Sequence, residues 1–166
     1  MAQVITQEEL ILLRRDWNGN GQRVVFVSGS FDLLNPGHIR LLEQARSHGD
    51  ILVVGVQSDA SVQAERAPEH GFTASGGVPG ELTKEEIPRP ITPAAERAEI
   101  LAAMAAVDYV VEFYEPSLTV LLERLSPDVI VKPGSKDPRQ PALSKKMGEG
   151  PGPKVVHVIP EPGYPI

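Results

Sequence analysis

Short apolar segments alternate along this chain with stretches whose apolar residues recur every three or four positions. Segments rich in β-branched and aromatic residues, typical of buried parallel strands, are residues 23–28, 51–56, 109–113, 129–132 and 154–159. Helical spacing is found in residues 7–17, 35–49, 94–107 and 117–125. Because strands alternate with helices, the pattern predicts an α/β fold with a five-stranded, mostly parallel sheet flanked by helices.

Residues that favour helix starts stand at the predicted boundaries. Thr6 is followed three positions later by Glu9, which is typical of a capping box, and Asn35-Pro36 combines a favoured N-cap with proline in the first helical position. Most of the 16 prolines and 15 glycines lie in residues 68–93, 133–153 and 160–165, which we therefore interpret as loops. Residues 62–90 read as a loop insertion within a single domain spanning residues 1–166.

Composition excludes several classes of function. The net charge is −6, whereas nucleic acid and anionic membranes require clustered cations, so we expect neither as a partner. The chain has no cysteine, which excludes disulfides and thiolate chemistry. Its first residues lack the basic flank and apolar core of a signal peptide, and no apolar run approaches the about 20 residues of a membrane span. These observations predict a cytoplasmic protein.

The most informative segment follows the first predicted strand and runs from Gly29 to His38. Gly29 lets the backbone come close to a ligand, and Gly37 removes a side chain from the first helical turn. The unpaired N–H groups of a helix N-terminus suit phosphate, and His38 can donate a further hydrogen bond from that turn. Taken alone, Asn35 could be only a cap and His38 only a surface side chain; the ten residues together favour a phosphate site.

The same turn argues against a dinucleotide-dependent oxidoreductase. It lacks the G-x-G-x-x-G spacing of the dinucleotide fingerprint. The second strand is also followed by Gln57, where an acidic residue would hold a ribose hydroxyl.

Residues 29–38 resemble the signature G-x-F-D-x-x-H-x-G-H of the cytidylyltransferase-like nucleotidyltransferases, with Asn35 in place of the first histidine. Further similar blocks are residues 23–26, 49–50, 56–61, 89–93, 96–97, 107–111 and 127–132. The resemblance runs from about Thr6 to Gly163 and implies a Rossmann-like fold. Within the family, the chain is most similar to adenylyltransferases that act on heptose 1-phosphate, with glycerol-3-phosphate cytidylyltransferase as a cousin.

The resemblance implies that a nucleotidyl group passes from ATP or CTP to a sugar phosphate or polyol phosphate, with release of pyrophosphate. It implies catalytic roles for His38, Asn35 and Lys132. Nucleotide contacts are implied for Gly29, Ser30, Phe31, Gly37, His38 and Arg97, and acceptor contacts for Asp32, Asp59 and Arg89. Mg²⁺ is implied on the phosphates, without assigned protein ligands. A homodimer stays open.

The residues alone leave structural roles open for three of these side chains. Lys132 could simply end a strand, Arg97 could be a solvated ion-pair partner on a helix face, and Asp59 could be a helix cap. The choice between adenine and cytosine also stays open, as does the identity of the acceptor.

Three differences from the family's pattern keep a second function open. Asn35 can donate a hydrogen bond but cannot carry charge. The family's final Ser/Thr-rich motif has no counterpart, since no serine or threonine follows Ser144, and residues 62–90 replace a short link. The alternative is therefore a catalytically weak or inactive nucleotide-binding module.

Overall fold

The computed structural model describes residues 1–66, 88–134, 152–159 and 163. Its strands are β1 (Gln3–Ile5), β2 (Val24–Gly29), β3 (Ile51–Gln57), β4 (Tyr109–Phe113), β5 (Val129–Pro133) and β6 (Lys154–Val158). Its helices are α1 (Gln7–Gly19), α2 (Pro36–Arg46), α3 (Asp59–Arg66), α4 (Ala94–Ala102) and α5 (Leu118–Leu125), the last preceded by a 3₁₀ turn at Glu115–Ser117. None of the helices described is both long and apolar enough to cross a membrane.

The six strands form one sheet in the order β1-β4-β3-β2-β5-β6, and every neighbouring pair is parallel. The predicted α/β fold with a parallel sheet is confirmed. The predicted number of five strands is wrong, because β1 also pairs with β4 at the edge of the sheet. This strand has three residues and its central Val4 is exposed, so it lacks the continuous apolar run that indicates a buried strand.

Helices cover both faces of the sheet because successive strand residues point to opposite sides. Val25 and Val27 of β2 belong to a buried cluster that includes residues of α2 and α4. Val24 and Phe26 belong to a second cluster that includes residues of α1 and α5. All seven residues of β3 are buried, as the apolar run at residues 51–56 predicts for all but the polar Gln57.

Two boundaries differ most from the sequence pattern. The helix predicted for residues 94–107 ends at Ala102, where the chain turns so that Val107 enters the core and the Asp108 carboxylate accepts the Leu52 N–H at 2.8 Å. The insertion predicted for residues 62–90 begins inside α3, which is helical as far as Arg66. Residues 67–87 of that insertion lie outside the described residues.

Candidate functional site

The strand order creates a crevice at the carboxyl ends of β2 and β5. From β2 the chain proceeds to β3 and β4 on one side, whereas β5 lies on the other side of β2. Ligands of open α/β sheets bind at such a reversal of strand order. The segment from Gly29 to His38 leaves β2 at this point, and Lys132 lies near the end of β5.

Asn35 caps the helix that begins in this crevice. Its side-chain Oδ1 accepts hydrogen bonds from the backbone N–H groups of Gly37, at 2.8 Å, and His38, at 3.3 Å. Pro36, which has no N–H to satisfy, occupies the first helical position. The predicted cap is confirmed, and it uses the side-chain oxygen of a residue for which we also expect a catalytic role.

The ring of His38 has a defined hydrogen-bonding state. Its Nδ1 accepts the backbone N–H of Asn35 at 3.1 Å, so Nδ1 carries no proton and the proton of the neutral ring lies on Nε2. Burial lowers the pKa of His38 from its ordinary value of 6.5, which favours this neutral form. The arrangement therefore fixes Nε2 as a hydrogen-bond donor at neutral pH.

A cavity of about 380 Å³ opens beside His38. It is lined by Ser30, Asp32, Leu33, His38, Val62, Glu65 and Arg89. The structure thus brings together four residues that the sequence placed in the site, namely Ser30, Asp32, His38 and Arg89. The cavity combines a neutral donor, a cation and carboxylates.

Asp32 connects the turn after β2 with the segment before α4 through hydrogen bonds. Its carboxylate accepts the backbone N–H groups of Ile91 and Thr92 at 3.0 Å, and Arg89 Nη1 at 3.1 Å. Burial by itself raises the pKa of Asp32, but these three donors outweigh it and the net pKa is lowered. Both carboxylate oxygens are occupied, whereas the buried Nε of Arg89 has no partner among the described residues.

Phe31 has a left-handed backbone, with φ of 49°, and its ring is buried. The ring lies against Gly29, where an added Cβ would come within 3.1 Å of Phe31 Cε2. It also meets the His38 ring edge-on, with centroids 6.0 Å apart. Gly29 and Phe31 therefore shape the wall behind His38, since a left-handed non-glycine residue is retained only where its surroundings fix it.

Arg97 lies behind the cavity, and the nucleotide contact expected for it stays a prediction. Its side chain is 0% exposed, and its guanidinium donates to the carbonyl oxygens of Ser30 (2.6 Å), Gln57 (2.7 Å) and Thr92 (2.8 Å). It also pairs with Asp59 Oδ1 at 2.7 Å. Arg97 thus joins three segments behind the cavity, and it is not the solvated ion-pair partner that a helix-face arginine suggests.

Asp59 acts as a helix cap, in agreement with the structural alternative. Its Oδ1 accepts the backbone N–H of Ala94 at 2.9 Å. The residue before α4 is Pro93, whose side chain makes no capping hydrogen bond. A carboxylate from the neighbouring segment therefore satisfies the start of α4, where its negative charge also complements the helix dipole.

Lys132 lies in a second cavity of about 300 Å³, on the face of the sheet covered by α5. Ser28 and Glu115 line the same cavity. Burial raises the pKa of Glu115, Glu65 raises it further, and Lys132 opposes them. Charges of the two cavities therefore interact across the carboxyl edge of the sheet.

Sequence reasoning missed a polar network beside the first cavity. The side chain of Gln57 is buried and donates to Ser61 Oγ at 3.0 Å and to Glu65 Oε1 at 2.8 Å. Glu65 fell in the segment interpreted as an insertion. The usable signal was the helix start at Ser58-Asp59, because it places Ser61 and Glu65 four residues apart on one helix face.

A larger cavity, of about 570 Å³, lies away from this crevice, beside α1 and the C-terminal end of α5. Arg14 lines it and donates to the carbonyl oxygens of Leu125 (3.1 Å) and Ser126 (3.0 Å). It also pairs with Asp128 at 3.3 Å. Arg14 thus provides hydrogen-bond donors to the last carbonyl groups of α5, and we interpret this cavity as the space between packed helices.

Comparison with known proteins connects this geometry to a family. Residues 26–76 match the family model described as cytidylyltransferase-like. The chain is 44% identical over 133 residues to the bifunctional protein HldE of Koribacter versatilis and 39% identical over 127 residues to that of Nitratiruptor sp.. These matches cover 80% and 76% of this chain but 24% and 23% of the relatives, so the chain spans about a quarter of their length.

Solved structures show the same fold. The lipopolysaccharide core biosynthesis protein of Thermoplasma volcanium superposes with a TM-score of 0.61 at 21% identity, covering 85% of this chain and 99% of that one. Pantoate-beta-alanine ligase of Francisella tularensis gives a TM-score of 0.60 at 16% identity, with 96% and 67% covered. From the turn after β2, the family match and these relatives, we conclude that residues 26–76 form a cytidylyltransferase-like segment and that the chain is similar to part of the HldE proteins.

Proposed function

We propose that this protein is a nucleotidyltransferase that moves a nucleotidyl group from ATP or CTP to the phosphate of a sugar phosphate or polyol phosphate. The observation that carries the proposal is the Nε2 donor of His38, which lies in the first turn of α2 beside a cavity that contains Arg89. A helix N-terminus and fixed donors stabilise phosphate charge without reorganisation.

In the proposed reaction, a phosphate oxygen of the acceptor attacks the α-phosphorus of the nucleoside triphosphate. A new P–O bond forms, the bond to the bridging oxygen of the β-phosphate breaks, and pyrophosphate leaves with that electron pair. His38 Nε2 donates to the oxygens on which negative charge increases. Arg89 holds the acceptor phosphate within the same cavity, and Lys132 neutralises phosphate from the neighbouring cavity.

Magnesium belongs to this proposal as a companion of the nucleotide. The described residues contain no group of three or more histidines and carboxylates that could hold a metal ion. The cation would therefore arrive bound to the triphosphate oxygens, which magnesium prefers together with water.

One observation favours the alternative of a weak or inactive nucleotide-binding module. The Asn35 oxygen is used in the helix cap, and the amide is neutral where the family's signature has an imidazole. Such a module would bind nucleotide through the same helix start without transferring it.

The proposal is tested by titrating ATP and CTP, each with magnesium, into the pure protein in a calorimeter. Sugar phosphates and polyol phosphates are then screened for pyrophosphate release. We expect one nucleotide to bind, and turnover to fall by about 10² to 10³-fold in His38→Ala. Binding without turnover would favour the module, and the absence of binding to either nucleotide would contradict both readings.

A further inference from the structure

We propose that Glu65 is a specificity residue which binds hydroxyl groups of the acceptor; this rests on the proposed function. Glu65 lines the cavity that contains His38 and Arg89. No role for it follows from the family's signature, which ends at His38.

The first support is the way in which Glu65 is held. Gln57, 4% exposed, donates through Nε2 to Glu65 Oε1 at 2.8 Å and to Ser61 Oγ at 3.0 Å. Ser61, 1% exposed, in turn accepts the backbone N–H of Glu115 at 3.0 Å. The carboxylate is thus anchored to a buried network, which gives it a defined position instead of the usual freedom of a surface glutamate.

The second support is the difference between the cavity's two carboxylates in their remaining capacity to accept hydrogen bonds. Both oxygens of Asp32 accept hydrogen bonds from Arg89, Ile91 and Thr92. Glu65 Oε2 accepts none from the described residues. Within that part of the chain, Glu65 is therefore the cavity carboxylate with an oxygen left for a ligand hydroxyl.

Charge then orders the acceptor in the cavity. A phosphate group beside Glu65 would be repelled, whereas Arg89 has a buried Nε without a partner among the described residues and His38 offers Nε2. The phosphate of the acceptor accordingly lies toward Arg89 and His38. The uncharged, hydroxylated part lies toward Glu65, where ionised oxygen is a strong hydrogen-bond acceptor.

The test compares Glu65→Gln with the wild type in calorimetric titrations of mannose 1-phosphate, glycerol 3-phosphate and ethyl phosphate, in the presence of the nucleotide that binds. We expect the wild type to prefer the hydroxylated esters. In Glu65→Gln this preference should fall by about 10-fold or more, because a hydrogen bond to a charged group is lost, while nucleotide affinity stays within about twofold. Gln57→Leu, which releases the anchor, should change the preference in the same direction.

Glu99→Gln is the matched control, since Glu99 is an exposed glutamate on α4. An unchanged preference in Glu65→Gln, or a wild type that binds ethyl phosphate equally well, overturns the proposal. Phosphoethanolamine is titrated as a further probe. If Glu65→Gln loses more affinity for it than for the hydroxylated esters, Glu65 binds an ammonium group and the proposal is overturned. Selective binding of the hydroxylated esters without pyrophosphate release would contradict the proposed transferase activity and leave this inference intact.

Discussion

At the scale of single residues, the helix start after β2 combines a structural and a chemical task in one pair of side chains. Asn35 caps the backbone of the turn, and its own N–H donates to His38 Nδ1. The cap therefore selects the tautomer of the histidine as well as the direction of the helix. A substitution of Asn35 or of His38 should therefore alter both the helix cap and the position of the histidine ring.

Replacing Asn35 separates these tasks. Asn35→Ala should lower the free energy of unfolding by about 1 kcal/mol, because two N–H groups lose their acceptor. Asn35→Asp keeps the acceptor and should leave stability within about 0.5 kcal/mol, but its charge should weaken the binding of a triphosphate. Chemical denaturation and calorimetry measure both effects; equal nucleotide affinity in Asn35→Asp and the wild type would place the triphosphate elsewhere.

The pKa of His38 gives stability a pH dependence of known sign. The folded pKa lies below 6.5, so the unfolded chain binds the proton more readily. The contribution of His38 to the free energy of unfolding should be complete above about pH 6.5. It should be lost as the pH falls from there to the folded pKa, and the free energy should change no further through His38 below that pKa.

Denaturation between about pH 5 and about pH 8 in the wild type and His38→Gln measures this contribution, because the difference between the two proteins removes the other titrating groups. A stability difference that stays constant over the range would show that His38 is not buried as described.

At the scale of elements, Arg97 is the joint between α4 and the ends of β2 and β3. One guanidinium binds the carbonyl oxygens of Ser30, Gln57 and Thr92, and the carboxylate that caps α4. The position of the cavity wall at Ser30 thus depends on a helix that does not itself line the cavity. We therefore describe Arg97 as a positioning residue.

Arg97→Met should lower the free energy of unfolding by about 3 to 5 kcal/mol, since it leaves buried carbonyl groups and a carboxylate without their donor. Arg97→Lys should recover part of this loss, because an ammonium offers three donors in place of a fork. Arg15→Met is the control and should stay within about 0.5 kcal/mol, as Arg15 is exposed. Thermal denaturation of the variants measures these differences in stability. Similar losses of stability in Arg97→Met and Arg15→Met would contradict the positioning role of Arg97.

The helices and strands could be predicted where one physical signal dominated. The buried strands β2 and β3 and the caps at Thr6 and Asn35 follow from apolar runs and from side-chain chemistry that acts within three residues. The end of α4 could not be predicted, because Asp108 accepts a hydrogen bond from Leu52, 56 residues away. In the site, local spacing pointed to His38, and the resemblance to the family's signature pointed to Asp32; both roles stay predictions. The burial of Arg97 and the anchoring of Glu65 depend on contacts between distant segments.

At the scale of the whole molecule, the sheet is packed on both faces with little free space at its centre. Gly55 lies in the middle of β3, and a Cβ there would come within 2.7 Å of Phe26 Cζ and 3.1 Å of Phe113 Cδ1. Both rings belong to the core between the sheet and α1 and α5. The packing of Phe26 and Phe113 therefore requires a residue without a side chain at position 55.

Gly55→Ala should lower the free energy of unfolding by about 1 to 3 kcal/mol, because the rings must leave their favoured positions. Gly19→Ala is the control, since nothing lies within 4 Å of an added Cβ at the end of α1. That substitution should be neutral or slightly stabilising. Denaturation midpoints compare the two; a Gly55→Ala protein as stable as the wild type would mean that the core has room at this point.

The strand order also has a consequence for how the chain is made. One edge of β2 pairs with β3, the next strand along the chain, but its other edge waits for β5, and the contact between Val24 and Asp128 joins residues 104 positions apart. During synthesis from the N-terminus, the β2-α2-β3 unit emerges before β5, so the N–H and C=O groups on one edge of β2, a strand with apolar side chains, have no partner until then. This interval, rather than the finished fold, is where the protein is most exposed to misassociation with other chains.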